Sequence, residues 1–163
     1  MKNFDSLAKF GMHLLEVEAG AVLAMKAGMH TIAQKVEDTA KAEIGHYQPA
    51  VGPFQDWAPL ADATEDEKAR LGYPLDAPLL REGALRESIT HEVHGLEAIV
   101  GSASPVAAFQ EFGTSTIPPR PFIGPAAFHN KEAIKAIAGG AAVSGLTGGQ
   151  VIHPALGYDL IGS

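Results

Sequence analysis

The sequence predicts an α+β fold: a small antiparallel sheet with a long N-terminal helix and a C-terminal helix, plus an extended loop and a C-terminal tail. Three observations carry this. Apolar residues recur every three or four positions through residues 5–44, the period of one helix face. Residues 87–94 and 96–102 alternate apolar and polar on either side of Gly95, the pattern of a hairpin. Residues 125–138 return to a helical period. A chain of 163 residues fits one domain, assigned to 1–138, followed by a Gly-rich C-terminal arm at 139–163.

The first helix starts at Asp5 or Ser6, either of which can accept an orphan backbone N–H bond. Phe10, Leu14, Val17 and Ala21 mark its apolar stripe, continued by Met25, Met29, Ile32, Val36 and Ala40. Gly11, Gly20 and Gly28 each weaken it by about 1 kcal/mol. They leave two readings of the helix, one piece or kinked near Gly20 or Gly28. They also leave two readings of the small-residue face, core packing or contact between subunits. Gly45 ends the helix. Residues 46–64 form a long loop with Pro49, Pro53 and Pro59. Its Trp57 either pins the loop to the chain's own core or plugs into a neighbour. Thr64, with Glu67 three residues on, predicts a capped short helix that stops at Gly72.

A helical turn at "REGALRESI" passes into the first strand, with Leu85 and Ile89 inward and Arg86 outward. Ile89, His91 and Val93 share one strand face; Thr90, Glu92 and His94 share the other. Two strands need a third partner from the Trp57 loop, the tail or a neighbour. Residues 105–128, "PVAAFQEFGTSTIPPRPFIGPAAF", are the stretch around which the chain is organised. Pro105 opens a short helix and Gly113 closes it. Pro118, Pro119 and Pro121 hold the following loop extended, which predicts an Arg120 projecting outward. Glu111, between Phe109 and Phe112, reads as a partly buried carboxylate. It would accept N–H bonds or meet Arg86 or Arg120, fixing the loop or bridging subunits. Gly124-Pro125 restarts a helix that Gly139-Gly140 break. The apolar end "VIHPALGYDLIGS" needs burial, on its own domain or by strand addition to a neighbour.

Composition narrows the chemistry. Net charge is −7, against the basic face that sequence-reading nucleic-acid binders need. No cysteine means no disulfide, thiolate nucleophile or Cys-based zinc site. The apolar runs fall short of a membrane span and no signal peptide is apparent, so a protein made in a cytoplasm is expected. "HEVH" at 91–94 spaces its histidines i and i+3, not the i and i+4 of a helical zinc motif. No Gly-x-Ser-x-Gly elbow and no Gly-Lys-(Ser/Thr) phosphate loop appears. The acids Asp62, Glu65 and Asp66 read as a solvated helix surface. No catalytic, cofactor or metal site is expected.

"FQEFGTSTIPPRPFIGPAAF" resembles the signature of small neck and tail-completion proteins of tailed bacteriophages. "WAPLADATEDEK" at 57–68 and "LLREGALRESI" at 79–89 resemble two further segments of the phage virion-morphogenesis branch, in consistent order. Glu82 stands where that family often has Thr. The resemblance covers residues 30–138. It implies a structural virion protein and not an enzyme: a minor tail or connector protein at the head–tail junction, assembled in the host cytoplasm. It implies a homo-oligomeric ring, sixfold or twelvefold, through which DNA passes without sequence-specific binding, in contact with neighbouring connector and tail proteins. A tail terminator or head-closure protein is the alternative. An unrelated interaction module or small hydrolase is a more remote one. The interface residues that this reading selects are Trp57, Arg86, Phe109, Glu111, Phe112, Thr114, Pro119, Arg120, Phe122 and Tyr158. Substituting Phe112 and Arg120 is expected to leave a folded chain that cannot join heads to tails.

Overall fold

The fold is described from a computed structural model, over residues 5–147. Helix α1 (Leu7–Glu43) runs for 37 residues, about 55 Å, without interruption at Gly20 or Gly28. Ser6 is the N-cap and its hydroxyl accepts the Lys9 N–H at 3.3 Å. Gly45, at φ +96°, carries the chain out of the helix. After the 46–61 loop come α2 (Asp62–Leu71) and the single turn α3 (Ala84–Glu87). Thr64 does not cap α2. Its own N–H donates to the Ala61 carbonyl at 2.8 Å, so the helix starts three residues earlier, with Ala61 at the cap and Asp62 and Glu65 in the first turn. Those acids suit the positive end of the helix.

Strands β1 (Ile89–His94) and β2 (Glu97–Ser102) pair antiparallel, from Ile89 opposite Ser102 to His94 opposite Glu97. Gly95, at φ +66°, makes the turn. The faces fall as the alternation predicts: Ile89 is buried, His91 and Val93 half-buried, and Thr90, Glu92 and His94 exposed. Among the described residues no third strand joins them. The Trp57 loop holds only an isolated Val51–Phe54 bridge. The hairpin is covered instead by α1, which packs on both strands. Glu37 of α1 holds this contact, bonding the His91 Nδ1 at 2.5 Å and pairing with Lys41. The Lys41 ammonium, with His91 beside it, keeps the Glu37 carboxyl below the usual range.

Helix α4 (Pro105–Phe112) begins on Pro105 as expected. The predicted single helix at 125–138 is instead two, α5 (Ile123–His129) and α6 (Lys131–Thr147). They meet at buried Asn130, whose amide bonds the Thr39 hydroxyl at 2.7 Å and the Ala126 carbonyl at 2.9 Å. Gly139-Gly140 do not break α6. Residues 139–147 of the expected arm are helix, because α6 lies antiparallel along α1 with its small residues in the seam. A Cβ on Gly28 would stand 2.8 Å from the Ala141 Cβ, and one on Gly145 would stand 2.4 Å from the Ala21 Cα. Packing this close outweighs the ~1 kcal/mol that each glycine costs a helix. Gly20 and Gly28 of the small-residue face pack within the chain, against α6. The remainder of the arm, with Tyr158, lies outside the described residues.

The core gathers Val36, Ala40 and Ile44 of α1 with Ile89, Ala107 and Ala126. Two aromatic residues, Trp57 and Phe122, complete it. It sits beneath the C-terminal half of α1. Among the described residues, α6 packs along the N-terminal half of α1.

Candidate assembly surface

Helix α4 is amphipathic, with Ala107 and Glu111 turned towards the fold. Ala107 is buried and Gln110 and Glu111 are half-buried. Val106, Phe109 and Phe112 form an exposed stripe, and Phe112 is 80% exposed. The reason is Glu111. Its carboxylate accepts the backbone N–H groups of Phe122 (2.8 Å), Ile123 (3.1 Å) and Gly124 (3.1 Å). These are the orphan donors at the start of α5, which has no cap from its own sequence. Turning Glu111 inward turns the two phenylalanines out. Of the two partners expected for Glu111, N–H groups are the one found, and neither Arg86 nor Arg120 meets it.

The loop beyond is held from both sides. The Thr114 N–H donates to the Ile117 carbonyl at 2.9 Å, and the Thr114 hydroxyl accepts the Thr116 and Ile117 N–H groups. Gly113 sits at φ +72°, where a Cβ would meet the Ile117 carbonyl oxygen and Pro119 N at 2.9 Å. Arg120 does not project outward, contrary to the expectation. Its own N–H bonds the Gln110 carbonyl at 2.7 Å. Its guanidinium is buried, donating to the Ala58 carbonyl (2.9 and 3.2 Å) and the Pro59 carbonyl (3.0 Å). Consecutive carbonyls in a Pro-rich loop lack backbone donors, and a planar fork of N–H groups serves both. Burial lowers the Arg120 pKa from the usual guanidinium range. Trp57 ties the same loop down, its indole N–H donating to the Pro121 carbonyl at 2.9 Å, and it packs into the chain's own core.

Trp57, Arg120 and Phe122 are therefore buried anchors of the fold, and Phe109, Phe112, Thr114 and Pro119 are the exposed group they frame. Arg86 is exposed on α3, apart from the Glu111 cluster. Beside the ledge a groove of about 770 Å³ opens, with Leu60, Leu79, Leu85, Val106 and Ile117 in its walls. Lys68 lies at its edge and is buried, its ammonium donating to the Ala77 carbonyl at 2.6 Å.

One titratable residue went unread in the sequence. Glu43 falls on the buried stripe of α1, between Ala40 and Ile44, and a carboxylate at that spacing was the available signal. Its Oε1 lies 3.2 Å from the His129 Nδ1, and its Oε2 is buried with no partner. Burial, with the Glu111 charge nearby, pushes its pKa up to about 8. Among the described residues no three His, Cys, Asp or Glu side chains are grouped to hold a metal. His91 faces α1 while His94 is exposed on the other strand face. No described helix is long and apolar enough to cross a membrane.

A second uncovered surface lies on α1. Met12, Leu15, Val22 and Leu23 are exposed, and with Ala19 they line the helix side away from α6.

These features define a small α+β fold built around an anchored Pro-rich loop, with apolar side chains exposed on α4 and α1 among the described residues. The chain matches the model of the phage virion morphogenesis family over residues 12–139, and it belongs to that family. Its place is thus in the building of a phage virion. No curated protein matches it, and no solved structure does.

Proposed function

We propose that the protein is a non-enzymatic structural subunit that closes into a homo-oligomeric ring at the neck or upper tail, where head and tail join. The observation that supports this best is the presence of two separate apolar surfaces, on α4 and on the outer side of α1. Exposed apolar patches of this kind mark interaction sites. Two different surfaces on one subunit suit head-to-tail contact around a cyclic axis. The rigid mounting of the 113–120 loop lowers the entropy lost on docking. A net charge of −7 leaves the ring's lumen or exterior negative, and a negative lumen would let DNA slide.

The test substitutes Phe112→Asp together with Phe109→Ser, both on exposed positions of α4. Arg120 is unsuited to it, because its substitution would loosen the fold itself. The variant is expected to keep the wild-type circular dichroism and melting temperature. It should lose the assembled mass seen by light scattering, and fail to complement head–tail joining in an extract lacking the protein. Normal virions from a folded variant would overturn the reading. Addition to tails before head joining separates a tail terminator from a head-closure protein.

A further inference from the structure

The groove beside the α4 ledge holds polar groups that lack partners among the described residues. Lys68 is only 2% exposed, yet its ammonium makes one hydrogen bond, to the Ala77 carbonyl at 2.6 Å. Among the described residues no carboxylate pairs with it. Glu65 and Asp76 act on it only from a distance, and the Glu65 Oε2 accepts the Asp76 N–H at 3.2 Å. A buried cation without a counter-charge is costly, and burial pulls this ammonium below its ordinary range. Arg120 commits Nε and Nη2 to the Ala58 and Pro59 carbonyls, while its Nη1 bonds nothing among the described residues. Gln110, joined to Arg120 by the backbone bond at 2.7 Å, has a buried Oε1 with no partner. All three side chains line the groove. Leu79 lines it too, held at φ +63° in the left-handed region, a strained backbone for leucine.

We propose that this groove is a peptide-binding site whose ligand is an extended segment of a partner protein, carrying one carboxylate among apolar side chains. Leu60, Leu85 and Ile117 in the walls take the apolar side chains. The carboxylate goes to Lys68 and supplies the counter-charge that its burial lacks. The peptide backbone takes the other two groups: a carbonyl accepts from the Arg120 Nη1, and an N–H donates to the Gln110 Oε1. A donor and an acceptor on neighbouring residues match a peptide unit, which a simple apolar acid does not. Charge complementarity decides the sign of the ligand. The chain carries −7 overall, but the groove has Lys68, Arg81 and Arg120 against Glu82 alone. An acidic segment is therefore attracted to this groove on a chain that is acidic as a whole. Binding here does not require ring closure, since every group named belongs to one chain.

The test titrates the full chain, isotope-labelled for NMR, with a short capped peptide holding one aspartate among valines and leucines, and with its asparagine twin. The aspartate peptide should move the amide signals of residues 79–88 and 104–110 saturably and bind about tenfold tighter than its twin. Lys68→Met should erase that preference. Gln110→Leu should weaken both peptides by about threefold or more, and it keeps the test decisive if Lys68→Met does not fold. Equal affinity of the wild-type chain for the two peptides overturns the proposal, as do shifts that lie away from the groove, titrations that never saturate, or unchanged binding by Gln110→Leu. A groove already filled in the peptide-free protein, by another part of the chain or by a second copy, overturns it as well. Nuclear Overhauser contacts to the groove and concentration-dependent shifts would reveal that.

Discussion

Replacing Glu43 by Gln should make the protein more stable above neutral pH and remove much of its pH dependence. In the fold the Glu43 carboxyl is surrounded by protein. It has one polar neighbour at 3.2 Å on Oε1 and none on Oε2, and its pKa is about 8. Unfolded, it returns to the ordinary 4.5. The folded state therefore holds this proton more tightly. Its contribution is fully present below pH 4.5 and is lost as pH rises towards 8. Through that window the group removes up to about 1.4 kcal/mol of stability per pH unit. Between pH 5 and pH 8 the loss is about 3–4 kcal/mol, a large part of a small domain's total. Glutamine keeps the shape and does not titrate. Every other titratable side chain is the same in both proteins, so the difference isolates Glu43. Urea unfolding at pH 5, 6, 7 and 8 measures it. The stability of Glu43→Gln minus that of the parent should climb with pH by about 2 kcal/mol or more. Parallel pH profiles, differing by less than about 0.5 kcal/mol across the range, would refute the buried neutral carboxyl.

Four other substitutions probe the frame. Glu111→Ala strips three N–H groups at the start of α5 of their acceptor and should cost about 2–4 kcal/mol in urea unfolding; with its charge gone, the Glu43 midpoint should also move down. Arg120→Lys keeps the charge but cannot serve the Ala58 and Pro59 carbonyls together, so a loss of about 1–3 kcal/mol is expected, with faster proteolysis in the 46–61 loop. Gly145→Ala should lower the melting point by forcing α1 and α6 apart, at about 1–3 kcal/mol. Gly140→Ala, where an added Cβ meets nothing within 4 Å, should instead stabilise by up to about 1 kcal/mol.

The elements themselves were legible because local rules fix them. The long period of α1, the alternation about Gly95, and Pro105 and Gly113 at the two ends of α4 each act through a few neighbouring residues. The motifs that carry the family resemblance are equally local. The orientation of the site was not. In the sequence, Arg120 looks like a projecting charge, and the fold reverses it. What sets the orientation of Glu111 and Arg120 is backbone from other elements. Backbone donors at 122–124 turn Glu111 inward, and backbone acceptors at 58–59 draw Arg120 inward. A buried polar group must find a partner, and nothing in the local pattern of a helix or a loop says where that partner will be. The same holds for Gly139-Gly140. By themselves they end a helix, but along α1 they are carried through it, because the packing of Gly145 and Gly28 is a property of two helices together. By itself, the sequence determined the long first helix, the hairpin about Gly95 with its two faces, and the ends of α4. Only the tertiary structure decided that α6 runs through its glycines and that Arg120 turns inward, since close helix packing and unsatisfied backbone groups are matched across the fold and not along the chain.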